Sequence, residues 1–423
     1  MSGLALACAS LGAEVTGSDR ADSTTLDRLR AAGIRAAVGH SPENVRSGVE
    51  IVYSSAVKCE NVERVRGQEL GLREVRRGEL LAELSMLRRC IAIAGSHGKT
   101  TTSALTAHVL RRAGVGAGYV IGAELCDGSP SAEWEQSDWL VVESDESDRT
   151  FLDLKPEIGV VTNIEAEHLN EYGSMEELRE AFAAFIARCG HVITSDRSDL
   201  RGLLDSESVT TFDASDVHLD GEGARFEWRG NRVQLPIPGE HNARNAAAAL
   251  EACRLAGADR GAAVRALATF PGVRRRLERL GQTTSGACIY DDYANHPNTI
   301  RATLAALRTI ESGRVFVVFE PILYSRTLAM ADVIGAALAE ADEVAVLDIY
   351  PGSEAGQQHP DVSGRLIADA VGSRIPAEQV AWTPTPDDAR AYLESALRPG
   401  DACVFMGVGP APQKLARALL APA

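Results

Sequence analysis

One segment constrains the fold of this 423-residue chain more than any other: residues 95–102, with the sequence Gly-Ser-His-Gly-Lys-Thr-Thr-Thr. It stands between the apolar run 91–94 and a pattern that predicts an amphipathic helix. Glycines let the backbone approach an anion, and the first turn of the helix directs N–H groups toward it. Lys99 adds a positive charge, and Thr100 can ligate Mg²⁺. The segment predicts a phosphate-binding loop for a nucleoside triphosphate; the alternative is a glycine-rich turn with an incidental lysine.

Composition narrows the class of protein around this loop. With 45% hydrophobic and 24% charged residues, the chain is globular, and its length predicts two to three domains. No apolar run approaches the roughly 20 residues that span a bilayer. A net charge of -16 argues against a nucleic-acid partner. The eight cysteines are scattered without a C-x-x-C pair, which favours reduced thiols over zinc or disulfides. We therefore expect a cytoplasmic protein.

Strand and helix patterns alternate along the whole chain, which predicts an α/β fold of three domains. The N-terminal domain is assigned to residues 1–88, the central domain with the predicted phosphate loop to 89–281, and the C-terminal domain to 282–423. Predicted strands are 14–18, 49–54, 139–143, 158–162, 314–319, 343–349 and 402–406. Predicted helices near the start are 2–11 and 23–32, so the chain opens in a helix where a Rossmann-like domain would open with a strand.

Acidic side chains follow the predicted strand 139–143, in the segment Glu-Ser-Asp-Glu-Ser-Asp at 143–148. The carboxyl ends of parallel strands face the ligand crevice, so this is a position for a Mg²⁺ ligand. His168 follows the neighbouring predicted strand 158–162 and is interpreted as a ligand of a second metal ion. The alternatives are a solvated acidic turn and a structural histidine.

Two further segments have side chains suited to a nucleotide. Residues 238–245 begin an alanine-rich helix whose first turn contains amide and imidazole groups that can contact a purine. By itself this is an ordinary helix start. Residues 274–276 are three arginines at a predicted domain border, where guanidinium groups can bind phosphate bidentately. By themselves, the three arginines fit a solvated basic turn equally well.

The order and spacing of these pieces resemble the Mur ligase family, over nearly the whole chain. The segments that resemble it are GSHGKTTT at 95–102, ESDESD at 143–148, TNIEAEH at 162–168, PGEHNARN at 238–245, DDYANHP at 291–297 and YSRT at 324–327. The resemblance implies a Rossmann-like UDP-binding domain whose first strand is missing, a P-loop ATPase-like central domain and a Rossmann-like C-terminal domain.

The resemblance also implies roles for individual residues. ATP would contact Gly95, Ser96, His97, Gly98, Lys99, Thr100, Thr101, His241, Asn245, Arg276 and Asp292. The metal ligands would be Thr100, Glu143 and His168. Substrate contacts would come from Ser18, Asp19, His40, Ser54, Ser55, Tyr293 and Arg326. Lys99, His168 and Arg276 would be the residues of the catalytic site.

The implied activity is an ATP- and Mg²⁺-dependent ligation of L-alanine to UDP-N-acetylmuramate through an acyl phosphate, in the synthesis of peptidoglycan precursors for cell shape and division. We expect a monomer or homodimer without membrane insertion. Two alternatives stay open: a peptide-recycling ligase acting on the same nucleotide sugar, and a catalytically reduced nucleotide-binding paralogue.

The chain departs from the family pattern at three places. The family begins with a strand and a G-x-G-G-x-G turn before M-S-G-L-A. We therefore expect either a native chain that extends upstream of Met1 or an N-terminal domain without its central strand. Asn295 precedes His296 where the family has two histidines. Ile322 and Leu323 replace the histidine and arginine of the family, a change expected to cost about tenfold to a hundredfold in substrate binding.

Overall fold

The computed structural model describes residues 1–167, 169–195, 208–352, 354 and 359–421. Backbone contacts divide the chain into two compact units. The first unit contains residues 1–215, 227–233 and 244–270. The second unit contains residues 216–226, 234–243 and 271–423. The predicted domain borders at 88 and 281 stay predictions. Among the described residues, no helix is both long and apolar enough to span a membrane.

The first 85 residues form two small parallel sheets with helices between their strands. One sheet pairs β1 with β2, and the other pairs β3 with β4. The predicted helices and strands of this region are confirmed to within about two residues at each end. The elements are α1 (Ser2–Ser10), β1 (Thr16–Asp19), α2 (Thr24–Ala31), β2 (Arg35–Val38), β3 (Ile51–Tyr53), α3 (Val62–Glu69), β4 (Glu74–Arg76) and α4 (Arg77–Ser85).

A seven-stranded sheet forms the core of the first unit. Its strands are β5 (Arg89–Ala94), β6 (Gly118–Val120), β7 (Ala132–Glu133), β8 (Trp139–Glu143), β9 (Ile158–Val161), β10 (His191–Ser195) and β11 (Val209–Phe212). The spatial order is β11-β10-β9-β5-β8-β6-β7, with β5 parallel to both β8 and β9. Ile91, Ile93 and Val141 are fully buried, because helices cover parallel sheets on both faces. The predicted strands 139–143 and 158–162 are confirmed.

Among the described residues from 99 to 267, the α-helices that accompany this sheet along the sequence are α5 (Lys99–Arg112), α6 (Leu169–Tyr172), α7 (Met175–Ile186), α8 (Glu240–Leu255) and α9 (Arg260–Leu267). α5 is buried from Thr100 to Leu110 and ends with Arg111 and Arg112, whose charges suit the negative end of the helix dipole. The helix expected after the phosphate loop is therefore confirmed.

Residues 215–235 form a three-stranded sheet that the sequence patterns did not predict. Along the sequence, it follows the seven-stranded sheet. Its strands are β12 (Ser215–Asp220), β13 (Gly223–Trp228) and β14 (Asn231–Leu235), in the order β12-β13-β14. From Ala224 to Trp228 in β13, buried and exposed residues alternate, as in a strand with one covered face. Such short, half-polar strands produce a weak periodic signal beside the apolar runs of the parallel sheets.

The second unit contains a six-stranded sheet in the order β15-β16-β20-β17-β18-β19. Only β15 runs antiparallel to its neighbour among these strands. The predicted strands 314–319, 343–349 and 402–406 are confirmed, although the second one ends at Val346. The elements are β15 (Glu278–Gln282), β16 (Cys288–Asp292), α10 (Pro297–Ile310), β17 (Val315–Glu320), α11 (Tyr324–Leu338), β18 (Glu343–Val346), α12 (Arg365–Gly372), β19 (Val380–Trp382), α13 (Pro386–Ala396), β20 (Ala402–Gly407) and α14 (Pro410–Ala418).

Candidate nucleotide site

The loop 95–98 connects the central strand β5 to α5 through two glycines with positive φ. Gly95 has φ 133° and Gly98 has φ 83°. A Cβ on Gly95 would lie 2.0 Å from Thr162 Oγ1, and one on Gly98 would lie 2.5 Å from Asn245 Oδ1. Both positions therefore require glycine for conformation and for space. The first-turn N–H groups of α5 lack partners within the helix, which makes this end suitable for an anion.

The segment that follows β9 holds the loop in place. Ser96 N–H donates to the carbonyl of Asn163 at 3.1 Å. His97 N–H donates to Asn163 Oδ1 at 2.9 Å, and Thr162 Oγ1 donates to His97 O at 2.6 Å. These bonds satisfy loop groups from a neighbouring strand end, so the loop conformation is fixed by the sheet.

Lys99 is the first residue of α5, and its ammonium lies at the mouth of the loop. It donates to Gly95 O at 2.7 Å and to both carboxylate oxygens of Glu146, at 2.7 and 3.0 Å. Burial alone would lower the pKa of Lys99, but the carboxylates of Glu146 and Asp145 raise it above its ordinary value. The lysine is therefore a charged group at the position that phosphates would occupy.

Thr100 and Glu143 meet at the same end of the sheet. Thr100 Oγ1 donates to Glu143 Oε1 at 3.0 Å, and Gly122 N–H donates to Glu143 Oε2 at 2.5 Å. Hydroxyl and carboxylate oxygens beside a phosphate loop are the donors that Mg²⁺ prefers, so these residues fit that ion. His168, the third expected ligand, lies outside the described residues. Thr101 and Ser96 are buried beside the loop.

The second unit contains Arg276, Asp292 and Tyr293, which the structure brings together. Asp292 ends β16 and accepts the N–H groups of Leu277 at 2.6 Å and Ala294 at 2.7 Å. The guanidinium of Arg276 lies 5.1 Å from the ring centroid of Tyr293. Burial raises the pKa of Asp292, and the charge of Arg276 opposes this rise. These residues form one cluster at the carboxyl end of β16.

Three further residues are expected to contact the nucleotide or the substrate: Asn245, His241 and Arg326. Asn245 is buried next to Gly98. His241 is exposed in the first turn of α8, with its ring against Gly239. Arg326, in the first turn of α11, donates to Asn295 O at 3.5 Å.

Ser18 and His40 come together at the carboxyl ends of β1 and β2. Ser18 Oγ lies 2.9 Å from His40 Nδ1 and donates to Glu63 Oε2 at 2.6 Å. Burial favours a raised pKa for Glu63, but hydrogen bonds from Ser18, Asn44 and the Ser41 N–H hold it below its ordinary value. We call Ser18, His40 and Glu63 the N-terminal polar cluster.

The other three expected contacts in this region lie near strand ends. Asp19 is the last residue of β1, and its carboxylate accepts the Ala21 N–H at 3.2 Å. Ser54 directly follows β3, and its carbonyl accepts the Val57 N–H in a turn that includes Ser55.

The sequence patterns did not identify Glu63, Glu146 or Asn163 as individual site residues. Glu63 is one of many glutamates on polar helices, and Glu146 was one of four acids in a short run. Asn163 belonged to a quoted motif but received no role. Only the contacts with Ser18, Lys99 and the loop distinguish these side chains from their neighbours.

A glycine loop after the central strand of a mainly parallel sheet, with a lysine, a hydroxyl and a carboxylate at its edge, has the arrangement that defines the α/β proteins of the P-loop nucleotide-binding class. Three family models match consecutive parts of the chain: "Mur ligase family, catalytic domain" at 1–89, "Mur ligase middle domain" at 93–253, and "Mur ligase, glutamate ligase domain" at 275–409. The chain belongs to the Mur ligase family.

Curated relatives resemble the chain over nearly its whole length. A UDP-N-acetylmuramate–L-alanine ligase of Kineococcus radiotolerans is 41% identical, over 97% of this chain and 91% of the relative. The protein of the same name from Thermobifida fusca is 38% identical, over 97% of this chain and 91% of the relative.

Solved structures agree with the fold. The UDP-N-acetylmuramate-alanine ligase of Thermotoga maritima superposes with a TM-score of 0.85 at 24% identity, over 99% of this chain and 95% of the other. A murein peptide ligase from Psychrobacter arcticus superposes with a TM-score of 0.74 at 24% identity, over 100% of this chain and 97% of the other.

Proposed function

We propose that this protein is an ATP-dependent amide ligase that joins L-alanine to UDP-N-acetylmuramate, in the synthesis of peptidoglycan precursors. The observation that carries the proposal is the 41% identity, over 97% of the chain, to a ligase named for that reaction. The contacts of Lys99, Thr100 and Glu143 support it, because they form an oxygen-rich and positively charged end to the phosphate loop. We further propose that it acts in the cytoplasm, as a monomer or homodimer.

In the proposed reaction, the carboxylate of the muramoyl group attacks the γ-phosphorus of ATP and releases ADP. The amine of L-alanine then attacks the carbonyl of the acyl phosphate, forms the C–N bond and expels phosphate. Neither step needs a nucleophile from the protein. Binding in one site supplies proximity and orientation, and cationic side chains stabilise the charge on the phosphoryl group.

Individual residues have distinct parts in this proposal. Lys99 and the loop N–H groups bind the ATP phosphates, and Asn245 and His241 contact the adenine. Thr100 and Glu143 hold one Mg²⁺, and His168 helps to bind a second metal ion. Mg²⁺ bound there would neutralise charge on the phosphate oxygens.

Arg276 is the proposed contact to the phosphates, and Asp292 is a proposed contact to the nucleotide. The proposed contacts to the muramoyl substrate are Tyr293 and Arg326. The UDP contacts proposed in the N-terminal region are Ser18, Asp19, His40, Ser54 and Ser55.

Phosphate release by the purified chain tests this function. We expect release that depends on ATP, Mg²⁺, UDP-N-acetylmuramate and L-alanine together, with a product heavier by one alanine residue in mass spectrometry. Omitting any one component is the control. Release only with a tripeptide donor would identify the peptide-recycling activity instead. Nucleotide binding without product for either donor would favour a catalytically reduced paralogue.

A further inference from the structure

The ammonium of Lys99 is held by an acidic partner that the proposed reaction does not use. Both carboxylate oxygens of Glu146 accept from Lys99 Nζ, at 2.7 and 3.0 Å. The same ammonium donates to Gly95 O at 2.7 Å and to Ser96 O at 3.4 Å. The three N–H groups of the lysine thus find acceptors in its own loop and in Glu146.

Glu146 is deeply buried and has a defined orientation. Its exposed fraction is 1%, and its backbone carbonyl accepts the hydroxyl of Tyr172 at 2.5 Å. Charged groups around the pair include Asp145 from the same loop, Glu143 at the end of β8, and Arg77 from α4, which lies 3.7 Å from Asp145. Burial raises the pKa of Glu146, although the charge of Lys99 opposes this effect. A buried carboxylate in such surroundings depends on its cationic partner.

A nucleotide at the loop would present phosphate oxygens to this same ammonium. The phosphates and Glu146 are both anionic, so they compete for Lys99 and repel each other. Glu146 therefore has opposite effects on two steps: it opposes the binding of phosphate, and it fixes where the lysine is when phosphate arrives.

We propose that Glu146 is a positioning residue for Lys99, which holds the ammonium against the loop without nucleotide and competes with the phosphates for it when a nucleoside diphosphate or triphosphate binds. This inference rests on the proposed nucleotide site, but its first measurement needs binding alone.

The test replaces the carboxylate by an amide of the same shape, Glu146→Gln. Mg-ADP binding to the full-length chain is measured by isothermal titration calorimetry. We expect the dissociation constant to fall about tenfold, because a competing charge is removed. With both substrates present, we expect kcat to fall about tenfold, because the lysine is held less firmly. Loss of structure alone would weaken binding and turnover together.

Glu133→Gln is the matched control, since Glu133 pairs with Arg111 at the far end of the same helix, at 2.7 Å. It should change neither constant. Glu146→Asp keeps the charge and shortens the side chain, so its ADP affinity should not exceed that of the wild type while kcat falls. This variant decides the question if Glu146→Gln does not fold.

Equal or weaker ADP binding by folded Glu146→Gln, or tighter binding by Glu146→Asp, would overturn the inference. A wild-type chain that fails to bind Mg-ADP overturns it as well. A wild-type chain that binds Mg-ADP but forms no amide product contradicts the proposed function only, and the affinities of the variants still decide the role of Glu146.

Discussion

Thr100 and Glu143 are joined by a hydrogen bond of 3.0 Å from the threonine hydroxyl to the glutamate carboxylate, although 42 residues separate them in the chain. The contact exists because β5 and β8 are parallel neighbours, so α5, which follows β5, begins beside the carboxyl end of β8, where Glu143 lies. It brings two oxygen ligands to the start of α5, where the proposal places Mg²⁺.

Replacing Glu143 by glutamine tests this pair. The amide keeps the shape but loses the charge, so we expect kcat/KM to fall by about a hundredfold and the Mg²⁺ concentration for half-maximal rate to rise. Steady-state assays across a Mg²⁺ series measure both. Glu135→Gln is the control, because Glu135 pairs with Arg111 away from the loop. An unchanged Mg²⁺ requirement in Glu143→Gln would remove Glu143 from the proposed ligands.

Gly98→Ala should disrupt the loop, in addition to the usual free-energy cost of an alanine with positive φ. Gly98 and Gly114 have almost the same φ, 83° and 82°, and they flank the two ends of α5. A Cβ on Gly98 meets Asn245 at 2.5 Å, whereas one on Gly114 meets nothing within 4 Å. We expect Gly114→Ala to lower the free energy of unfolding by about 1 kcal/mol with normal ADP binding. Gly98→Ala should lose at least about tenfold in ADP affinity as well.

This comparison uses urea denaturation for stability and calorimetry for ADP. If both alanine variants bind ADP equally well, the close approach of Asn245 to the loop does not matter for binding.

Glu320 should make the stability of the second unit fall as the pH rises. Burial raises the pKa of Glu320 to about 7, from an ordinary value of 4.5, while Arg275 and the N–H of Gly409 oppose this shift. Below pH 4.5 both the folded and the unfolded chain are protonated there. Between pH 4.5 and 7 the unfolded chain releases the proton first, so the free energy of unfolding falls, by at most about 3 kcal/mol.

Glu320→Gln should therefore match the wild type near pH 4.5 and be more stable at pH 8. Urea denaturation at pH 4.5, 6 and 8 measures the difference. The control is Glu394→Gln, whose side chain is exposed and pairs with Arg390 four residues earlier. Parallel pH profiles for Glu320→Gln and the wild type would show that Glu320 ionises normally.

Glu63 should affect the nucleotide sugar and leave ATP unaffected. It accepts hydrogen bonds from Ser18 and Asn44, at 2.6 Å each, and so orients the N-terminal polar cluster. We expect Glu63→Ala to raise KM for UDP-N-acetylmuramate about tenfold and to leave KM for ATP unchanged. Glu69→Gln, on an exposed ion pair of the same helix, is the control. Equal increases in both KM values would indicate a general loss of structure.

Local sequence patterns were sufficient to predict most of the strands of the two large sheets. The mainly apolar runs at 91–94, 139–143 and 402–406 form strands, because short continuous apolar sequences are typical of strands that are buried on both faces of a parallel sheet. The three-stranded sheet at 215–235 was missed, since strands with one exposed face produce a weaker signal. The position of β20 between β16 and β17 could not be predicted either, because strand order depends on contacts between distant segments.

The sequence alone predicted the phosphate loop with its strand and helix, and it placed acidic residues after the neighbouring strand, because glycine spacing and acids after a strand are local signals. The choice of Glu143 among these acids came from the family resemblance. The tertiary structure decided which acid pairs with Lys99, since Glu146 and Glu143 are equivalent in a short acidic run and differ only in where the folded backbone directs them. It likewise decided the partnership of Ser18 with Glu63, 45 residues apart. Contacts of this kind depend on the arrangement of whole strands and helices, which local residue patterns do not specify.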